Sequence, residues 1–349
     1  MINTLISLLR LIPTGDNAQQ FRYKIVGDSL EVYHDSKIAE HRFNQSNVAS
    51  LLSLGMIVEV AVTFAIENQF PAQLVYAQDF LKEDLWLTIS FQSVAAAVDL
   101  KKNEHFLSLL KERKTFRGFF KKSQFDFSEM NRQFAGKAVF VKKLPKAAFG
   151  LMLKMENMIF DDYEAFKHIE KWFRYSNQAL HETKTGMSLA NLNIDAFNGL
   201  LLKAIRRSYF LSVILRPYFK ALNFFKVNAL YRQSVGFGII TVDQTDDAGV
   251  IAAGRTLLKV WLKLTDLKMA MQPISSASLL PFEYVYRKAN FLEKYESLLS
   301  AANEILRQSF RYDQVHGIWL FRFGVPDKTV NNKNQRSLRL AETDLILKN

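Results

Sequence analysis

Two short stretches and a basic tail carry the side chains best suited to bind an anionic ligand. The first stretch is a turn over residues 13–17, where Pro13 fixes one backbone angle and Gly15 permits a positive φ. Asp16 and Asn17 can bond back onto the backbone, which leaves several N–H groups pointing outward to a carbonyl-rich or anionic ligand. An ordinary helix–turn–strand junction explains the same residues and is the commoner arrangement.

The second stretch is strongly basic, since residues 111–122 contain Glu112 as their only acid. Arg113 and Arg117 are four positions apart and would share one face if this stretch is helical, with Thr115 between them. Two guanidinium groups and a hydroxyl suit a phosphate monoester. A solvated basic face is the alternative interpretation, and it is the usual one for a run of charges.

The turn resembles the Pro-Ser-Gly-x-Asn-x-Gln-Pro-Trp signature of the FMN-dependent nitroreductase family. Thr14 stands at the serine position as a conservative replacement, while Gln20 and Phe21 stand where the family has Pro-Trp. The resemblance implies that this turn contributes to an FMN site. The positions that match the signature are Pro13, Gly15, Asn17 and Gln19.

The basic stretch is similar to a second motif of the same family. Residues 113–119 resemble Arg-x-Ser-x-Arg-x-Phe, with which nitroreductases hold the ribityl phosphate of FMN. The resemblance therefore implies that Arg113, Thr115 and Arg117 contact the phosphate.

Two later segments extend the resemblance. Residues 270–276 are similar to the small-residue loop whose backbone lies against the flavin ring near N5. Residues 333–339 resemble the C-terminal basic segment that also reaches the phosphate, although a disordered basic tail is the alternative. The cofactor contacts implied in these segments are Gln272, Pro273, Ile274, Ser275, Arg336 and Arg339.

The resemblance implies an FMN-binding oxidoreductase. Its flavin would take hydride from NAD(P)H and pass electrons to a small acceptor such as a nitro compound or a quinone. Two alternatives stay open: a protein that sequesters FMN without turnover, and a basic membrane- or nucleic-acid-associated protein with a vestigial flavin fold. No catalytic side chain is predicted, because the cofactor carries the hydride chemistry.

Composition excludes several other kinds of site. The 349 residues contain no cysteine, which removes disulfides, thiolate nucleophiles and Cys-based metal sites and fits the cytoplasm, where we expect the protein. The six histidines form no His-Glu-x-x-His pattern, so we expect no metal site. The formal net charge of +12 favours anionic partners, namely nucleic acid, acidic lipid or phosphate-bearing cofactors, and of these we expect no specific nucleic acid.

A basic, aromatic segment has two interpretations. Residues 196–242 contain no acidic side chain, and aromatic residues alternate with basic ones throughout them. We interpret the segment as a pair of core-facing helices split at Pro217. The alternative is a surface that covers a cofactor or makes weak contact with an anionic membrane. The basic residues are Lys203, Arg206, Arg207, Arg216, Lys220, Lys226 and Arg232.

The resemblance implies that an α+β fold of the nitroreductase type positions these segments, with central mixed or antiparallel sheets flanked by helices. The apolar run 47–66 is long enough to cross a membrane, but Glu59 near its middle would cost roughly 3 kcal/mol there, so we expect a buried helix. The main predicted strands are 21–26, 30–34, 85–91, 236–242 and 317–323. The long helices are 47–66, 247–269 and 290–310, capped by Asn47, Asp246 or Asp247, and Asn290.

The order of the motifs predicts two nitroreductase-like halves in one chain. In this chain the turn precedes the arginine motif, whereas the family has the reverse order. In the homodimers of that family, one subunit contributes the arginine motif and the other contributes the turn. We therefore expect residues 1–100 and 101–349 to form the halves of a pseudo-dimer, with a helical insertion at about 150–232. One FMN site would be complete within each chain, whether the protein is a monomer or a homodimer. The two long helices should pack together where Gly55 and Gly254 permit close approach.

Overall fold

The N-terminal part of the chain folds into a four-stranded antiparallel sheet. The computed structural model describes residues 1–92, 104–327 and 337–347. Gly27, at φ +57°, forms the tight turn of the first hairpin, which confirms the predicted pairing. The strands are β1 (Phe21–Val26), β2 (Ser29–His34), β3 (Ala72–Tyr76) and β4 (Leu85–Phe91), in the order β1-β2-β4-β3.

A second sheet is formed by the later strands, and all its pairings are antiparallel. Its longest strand, β11, lies in the interior of the sheet, and its Leu320, Phe321 and Phe323 are fully buried. An apolar run of this kind fits an interior strand, as predicted. The strands are β5 (Phe120–Lys121), β6 (Ala138–Val141), β9 (Gly236–Val242), β10 (Ala270–Pro273) and β11 (His316–Pro326), while β7 (Phe173–Arg174) and β8 (Met187–Ser188) form a separate parallel pair.

Helices surround both sheets, so the architecture is mixed α+β with antiparallel sheets. Short 3₁₀ turns lie at Gly15–Asn17 and Glu293–Tyr295. The helices are α1 (Ile2–Leu9), α2 (Ser36–Ala39), α3 (Val48–Glu67), α4 (Glu104–Glu112), α5 (Phe127–Gln133), α6 (Lys146–Asp161), α7 (Tyr163–Glu170), α8 (Asn177–Thr183), α9 (Ala196–Arg207), α10 (Tyr209–Arg232), α11 (Asp247–Asp266), α12 (Ser276–Arg287), α13 (Glu296–Phe310) and α14 (Glu342–Leu345).

Helices α3 and α11 pack against each other at two glycines. A Cβ atom on Gly55 would lie 2.1 Å from the carbonyl oxygen of Ile251, and one on Gly254 would lie 2.1 Å from that of Leu52. The predicted close approach is therefore present. Within the described residues, α3 is the helix that is long and apolar enough to span a membrane, yet 78% of its most apolar stretch is buried inside the protein. Its Glu59 is paired at 3.0 Å with the Nε atom of Arg255.

Two predicted helix starts differ from the structure. Asn47 precedes α3 with a left-handed backbone, and its side chain makes no cap hydrogen bond. The Oδ1 atom of Asn44 instead accepts from the N–H of Ala49 at 2.9 Å. Helix α13 begins at Glu296 rather than at Asn290, because a 3₁₀ turn precedes it. The predicted cap of α11 is confirmed, since Asp246 accepts from the N–H of Gly249 at 2.8 Å.

Helices α6 to α10 form a helical region between β6 and β9. The predicted break at Pro217 is wrong, because α10 continues through it without interruption. Pro217 lies on the exposed side of α10, where the carbonyl it leaves unpaired can be hydrated. The prediction that this helix pair faces the core is confirmed for one side only. Leu202 and Phe219 are buried there, whereas many apolar side chains on the other side, such as Phe210 and Phe225, are exposed.

The chain returns to the first sheet after residue 337. Helix α14 packs on β1, and Ile346 forms a parallel bridge with Tyr23. The N–H of Leu347 donates to the carbonyl oxygen of Tyr23 at 2.8 Å. Strand β1, at one edge of its sheet, is therefore partly covered by residues from the other end of the described chain.

A carboxyl group is buried where α12 meets the segment before α3. Glu283 is fully buried, and its Oε2 atom accepts from the N–H of Gln45 at 3.1 Å. Burial raises the pKa of Glu283 to about 8, although backbone N–H groups and Arg287 partly offset this rise. The group is therefore protonated in the folded protein at neutral pH.

We expect the wild type to lose stability at high pH because Glu283 is buried, and we expect the Glu283→Gln variant to show no such loss. Below pH 4.5, the ordinary pKa, both states hold the proton; between 4.5 and about 8 only the folded state does, so its stability falls with rising pH. The free energy of unfolding of the variant should exceed that of the wild type by about 5 kcal/mol above this window, at roughly 1.4 kcal/mol per pH unit, and match it below. Urea unfolding at a series of pH values measures the difference. Glu182→Gln on the exposed side of α8 is the control, and a pH-independent gap between Glu283→Gln and the wild type would contradict the expectation.

Candidate functional site

A cavity of about 380 Å³ lies where the turn, the arginine motif and three long helices meet. This volume is within the range of cofactor and ligand sites in proteins. Helices α3, α11 and α12 supply an apolar wall, because their core-facing side chains end at the cavity. These wall residues include Leu52, Met56, Leu257, Trp261, Leu279 and Leu280.

The turn beside the cavity is held by bonds within itself. Asp16, Asn17 and Gln19 have positive φ angles of 49°, 57° and 55°, which side chains other than glycine rarely adopt. The N–H of Asn17 donates to Thr14 O at 3.2 Å, and the N–H of Gln19 donates to Thr14 Oγ1 at 2.9 Å. The expectation that these N–H groups point outward to a ligand is therefore wrong for Asn17 and Gln19. Strained turns of this kind persist where surrounding contacts fix them.

Asn17 joins the turn to two distant segments. Its Nδ2 atom donates to the carbonyl oxygens of Gly186 at 3.0 Å and Leu338 at 3.1 Å. Its Oδ1 atom accepts from the guanidinium of Arg339, which also lines the cavity. The side chain of Asn17 thus fixes both the helical region and the C-terminal segment against the cavity.

One side of the cavity is basic. Arg113, Lys114, Arg117 and Arg339 line it, and among the lining residues of the described chain Asp16 is the one carboxylate. An anionic group is therefore favoured on this side. Burial lowers the pKa of Arg117, although Asp16 nearby opposes this effect.

The arginine motif is extended rather than helical. Arg113 follows the end of α4, Thr115 forms a parallel bridge with Met271, and the N–H of Phe116 donates to Met271 O at 3.0 Å. The conditional prediction of one helical face is therefore wrong, although both arginines line the same cavity.

Both guanidinium groups also make structural contacts. The Nη2 atom of Arg113 donates to Leu11 O at 2.9 Å, and its guanidinium carbon lies 4.5 Å from the centroid of the Trp261 ring. The Nη1 atom of Arg117 donates to Asn191 O at 3.2 Å. Arg113 is buried and positioned by the protein itself, whereas Arg117 is partly exposed to the cavity.

The cavity wall includes buried polar atoms that make no hydrogen bond with the part of the chain that the structure describes. Among them are Gln20 Oε1, Asn191 Oδ1, Trp261 Nε1, Trp319 Nε1 and His41 Nε2. The two amide oxygens accept hydrogen bonds, and the two indole N–H groups donate them. Since buried polar atoms are nearly always paired, the wall suits a ligand that carries both donors and acceptors.

A histidine and an aspartate meet at the cavity. The Nε2 atom of His41 lies 3.7 Å from the Oδ2 atom of Asp16, and its ring centroid lies 6.2 Å from that of His168. Burial lowers the pKa of His41 more than Asp16 raises it. A neutral imidazole here can accept or donate one proton.

The cavity brings together most of the residues that the sequence analysis singled out, and it leaves three of them outside. Gln19, Gln272 and Ile274 do not line it, and Arg336 lies outside the described residues. Those that line it are Pro13, Thr14, Gly15, Asn17, Arg113, Thr115, Arg117, Pro273, Ser275 and Arg339.

The three residues outside the cavity have other partners. Gln19 binds the C-terminal segment, since its Oε1 atom accepts from the N–H of Leu340 at 2.9 Å. The Oε1 atom of Gln272 accepts from Arg322 Nε at 2.7 Å, and Ile274 is buried in the core. Gln272 and Pro273 are successive residues of β10, so their side chains point in opposite directions and only Pro273 lines the cavity. Ser275 lines it from the start of α12, where its backbone is helical rather than extended.

Several cavity residues were missed from the sequence. Asn191 and Trp172 come from the helical region, Trp319 from β11, and His41 from the segment before α3. None lies in a motif, and an unpaired buried donor or acceptor cannot be identified without the fold. Within the described ranges, no group of three or more His, Asp or Glu side chains could hold a metal ion.

Comparisons with known proteins include a distant likeness to a solved structure. No protein-family model matches the sequence, and no curated protein matches it. A solved structure of the FMN-dependent nitroreductase NfnB from Mycobacterium smegmatis, in complex with NADPH, is 15% identical and covers 70% of this chain and 97% of its own. The TM-score is 0.34, which does not establish a common fold.

Proposed function

We propose that this cavity binds FMN and that the chain is an oxidoreductase of the nitroreductase type. It would transfer hydride from NAD(P)H through the flavin to a small acceptor, such as a nitro compound or a quinone. One observation carries the proposal. The turn at residues 13–17 and the arginine motif at 113–117 each resemble an FMN-binding motif of that family, and both line the same cavity.

The basic side of the cavity suits the phosphate of FMN. Arg117 and Arg339 would hold it, with Lys114 and the hydroxyl of Thr115 on the same wall. Arg113 would contribute mainly through its charge and by keeping Trp261 in place, because it already donates to Leu11 O. A dianionic phosphate would offset the excess of positive charge on this wall.

The rest of the cavity suits the flavin ring. Its apolar wall can contact the faces of a planar aromatic group. Residues of the wall also offer Gln20 Oε1 and Asn191 Oδ1 as acceptors and Trp261 Nε1 and Trp319 Nε1 as donors. The edge of an isoalloxazine ring carries both an N–H donor and several oxygen and nitrogen acceptors. The unpaired wall atoms therefore match its hydrogen-bonding groups in kind.

When bound, FMN would supply the redox chemistry, while the side chains would bind, orient and exclude water. The apolar wall from α3, α11 and α12 would keep water away from the ring. His41, neutral and partnered by Asp16, could hold a proton close to the bound acceptor.

The proposal includes three further expectations from the sequence. The site would be complete in one chain, as a monomer or a homodimer, and the chain would consist of two nitroreductase-like halves, 1–100 and 101–349. The motif order supports both. The absence of cysteine supports a cytoplasmic location.

The purified protein tests this function directly. We expect a flavin absorption spectrum, or its appearance on addition of FMN, and loss of the oxidised band when NADH or NADPH is added without oxygen. If the protein binds flavin but neither nucleotide bleaches it, the result would indicate a protein that stores FMN rather than an enzyme. A protein that neither carries nor takes up FMN would contradict the proposal.

A further inference from the structure

Helix α10 carries an apolar stripe that faces away from the protein. Its members recur every three or four positions, which places them on one side of the helix. Phe210 and Phe225 near its two ends are each 70% exposed, and Ile214 between them is 54% exposed. We call this set the outer stripe: Phe210, Val213, Ile214, Pro217, Tyr218, Ala221, Phe224 and Phe225.

Helix α9 extends the exposed apolar surface. It packs against α10, and its Phe197 and Leu200 are 63% and 65% exposed. The opposite sides of the two helices hold them in place, since Leu202 and Phe219 are buried in a shared apolar cluster. The exposed residues are therefore not part of the core, and soluble surfaces rarely expose so many large apolar side chains together.

Positive charge borders this surface. Lys203 and Arg207 on α9 are exposed, as is Arg232 at the end of α10. No acidic residue occurs in residues 196–242, which include both helices. An apolar stripe with aromatic side chains and basic flanks is the pattern of a helix that lies in the plane of a membrane surface.

We propose that the outer stripe, with the exposed residues of α9, docks the protein on a bilayer surface that contains anionic lipid. The apolar side chains enter the boundary between headgroups and acyl chains, and the lysine and arginines contact the anionic headgroups. This proposal does not depend on FMN binding, because the stripe residues do not line the cavity.

Two other occupants fit less well. A second copy of the chain, related by a two-fold axis, would bring the basic borders of the two copies together. Their positive charges would repel each other, because this segment has no acidic side chain to pair with them. A nucleic acid would contact lysine and arginine side chains only at the borders of the stripe. Along the stripe itself, Val213, Ile214 and Phe225 would face charged phosphate groups. An anionic bilayer alone provides both an apolar interior and negative charge.

Flotation with vesicles tests the proposal on the full chain. Vesicles of phosphatidylcholine with about 30% phosphatidylglycerol should bind the protein, whereas pure phosphatidylcholine vesicles should bind it at least about tenfold more weakly. Phe210→Ser/Phe225→Ser should lower binding to the anionic vesicles by at least about tenfold, because two anchoring side chains are lost. Raised salt should weaken binding of the wild type.

Matched variants distinguish the contribution of the outer stripe to vesicle binding from the general effect of changing exposed side chains. Ile66→Ser/Leu81→Ser removes two apolar side chains that are 71% and 68% exposed on other elements, and it should bind like the wild type. Arg207→Glu/Arg232→Glu should reduce binding more than Lys111→Glu/Lys122→Glu, which changes net charge equally at exposed sites elsewhere.

Equal binding to both kinds of vesicle would overturn the proposal, as would binding that Phe210→Ser/Phe225→Ser leaves unchanged. It would also be overturned by a dimer in light scattering that this variant converts to a monomer. The last result would assign the stripe to a second copy of the chain. Binding to an oligonucleotide without binding to vesicles would likewise replace the membrane by a nucleic acid.

Discussion

Replacing Arg113 and Arg117 together by alanine should weaken FMN binding at least about a hundredfold. The charge-assisted contact of Arg117 with the phosphate is worth roughly 1.5–3 kcal/mol, and the loss of Arg113 also removes its positive charge and its support of Trp261. Both arginines line the basic side of the cavity. Arg113 also donates to Leu11 O and covers Trp261, so its loss should lower stability as well. Arg117→Ala alone, which leaves those contacts intact, should lower affinity by about tenfold.

Quenching of flavin fluorescence on titration with FMN measures these affinities. The control is Lys111→Ala/Lys122→Ala, which removes the same two charges from exposed positions that do not line the cavity. Circular dichroism shows whether each variant keeps its fold. Equal affinity for FMN in the Arg117→Ala variant and the control would exclude Arg117 from the phosphate site.

Gly55→Ala should destabilise the protein by about 3 kcal/mol or more, since it overpacks the contact between α3 and α11. The new Cβ atom would lie 2.1 Å from the carbonyl oxygen of Ile251 and 2.8 Å from the Cα atom of Gly254. Both atoms belong to the backbone of a buried helix, so neither can move aside as the end of a flexible side chain can. The two helices would have to separate along their shared length.

The change in the free energy of unfolding in urea tests this expectation. Gly150→Ala on α6 is the control, because a Cβ atom there meets nothing within 4 Å. That substitution should stabilise the protein by about 0.5–1 kcal/mol, as alanine favours a helix more than glycine does. Equal effects of the two substitutions would show that the helices do not rely on close contact at Gly55.

Local patterns predicted much of this fold. The hairpin of β1 and β2 follows from a Gly-Asp turn between alternating strands, and the interior position of β11 follows from its apolar run. The packing at Gly55 and Gly254 was also predictable, because small residues in two long apolar helices permit contact between backbones. In each case the cause lies within a few neighbouring residues.

The orientation of α10 was not predictable in the same way. An apolar stripe at helical spacing specifies that one side of the helix avoids water, but not whether the protein itself covers that side. The sequence signals for an exposed stripe were the basic residues that border it and the absence of acidic residues in residues 196–242. These signals favour a binding partner on this surface only once Phe210 and Phe225 are known to be exposed.

The cavity could be predicted only in part. The turn and the arginine motif were recognisable because each is a short run of sequence. His41, Asn191 and Trp319 come from separate segments, and only the fold places them on one wall. Pro273 lines the cavity while Gln272 does not, because successive residues of strand β10 point in opposite directions.

The contact of Ile346 and Leu347 with Tyr23 has a consequence for synthesis on the ribosome. Tyr23 emerges early, and its partner Ile346 follows 323 residues later, as 346 minus 23 shows. At roughly 5–20 residues per second, the edge of β1 waits on the order of 15–65 seconds for its covering segment. During that interval the nascent chain presents an unpaired strand edge, with which the strands of neighbouring nascent chains can pair.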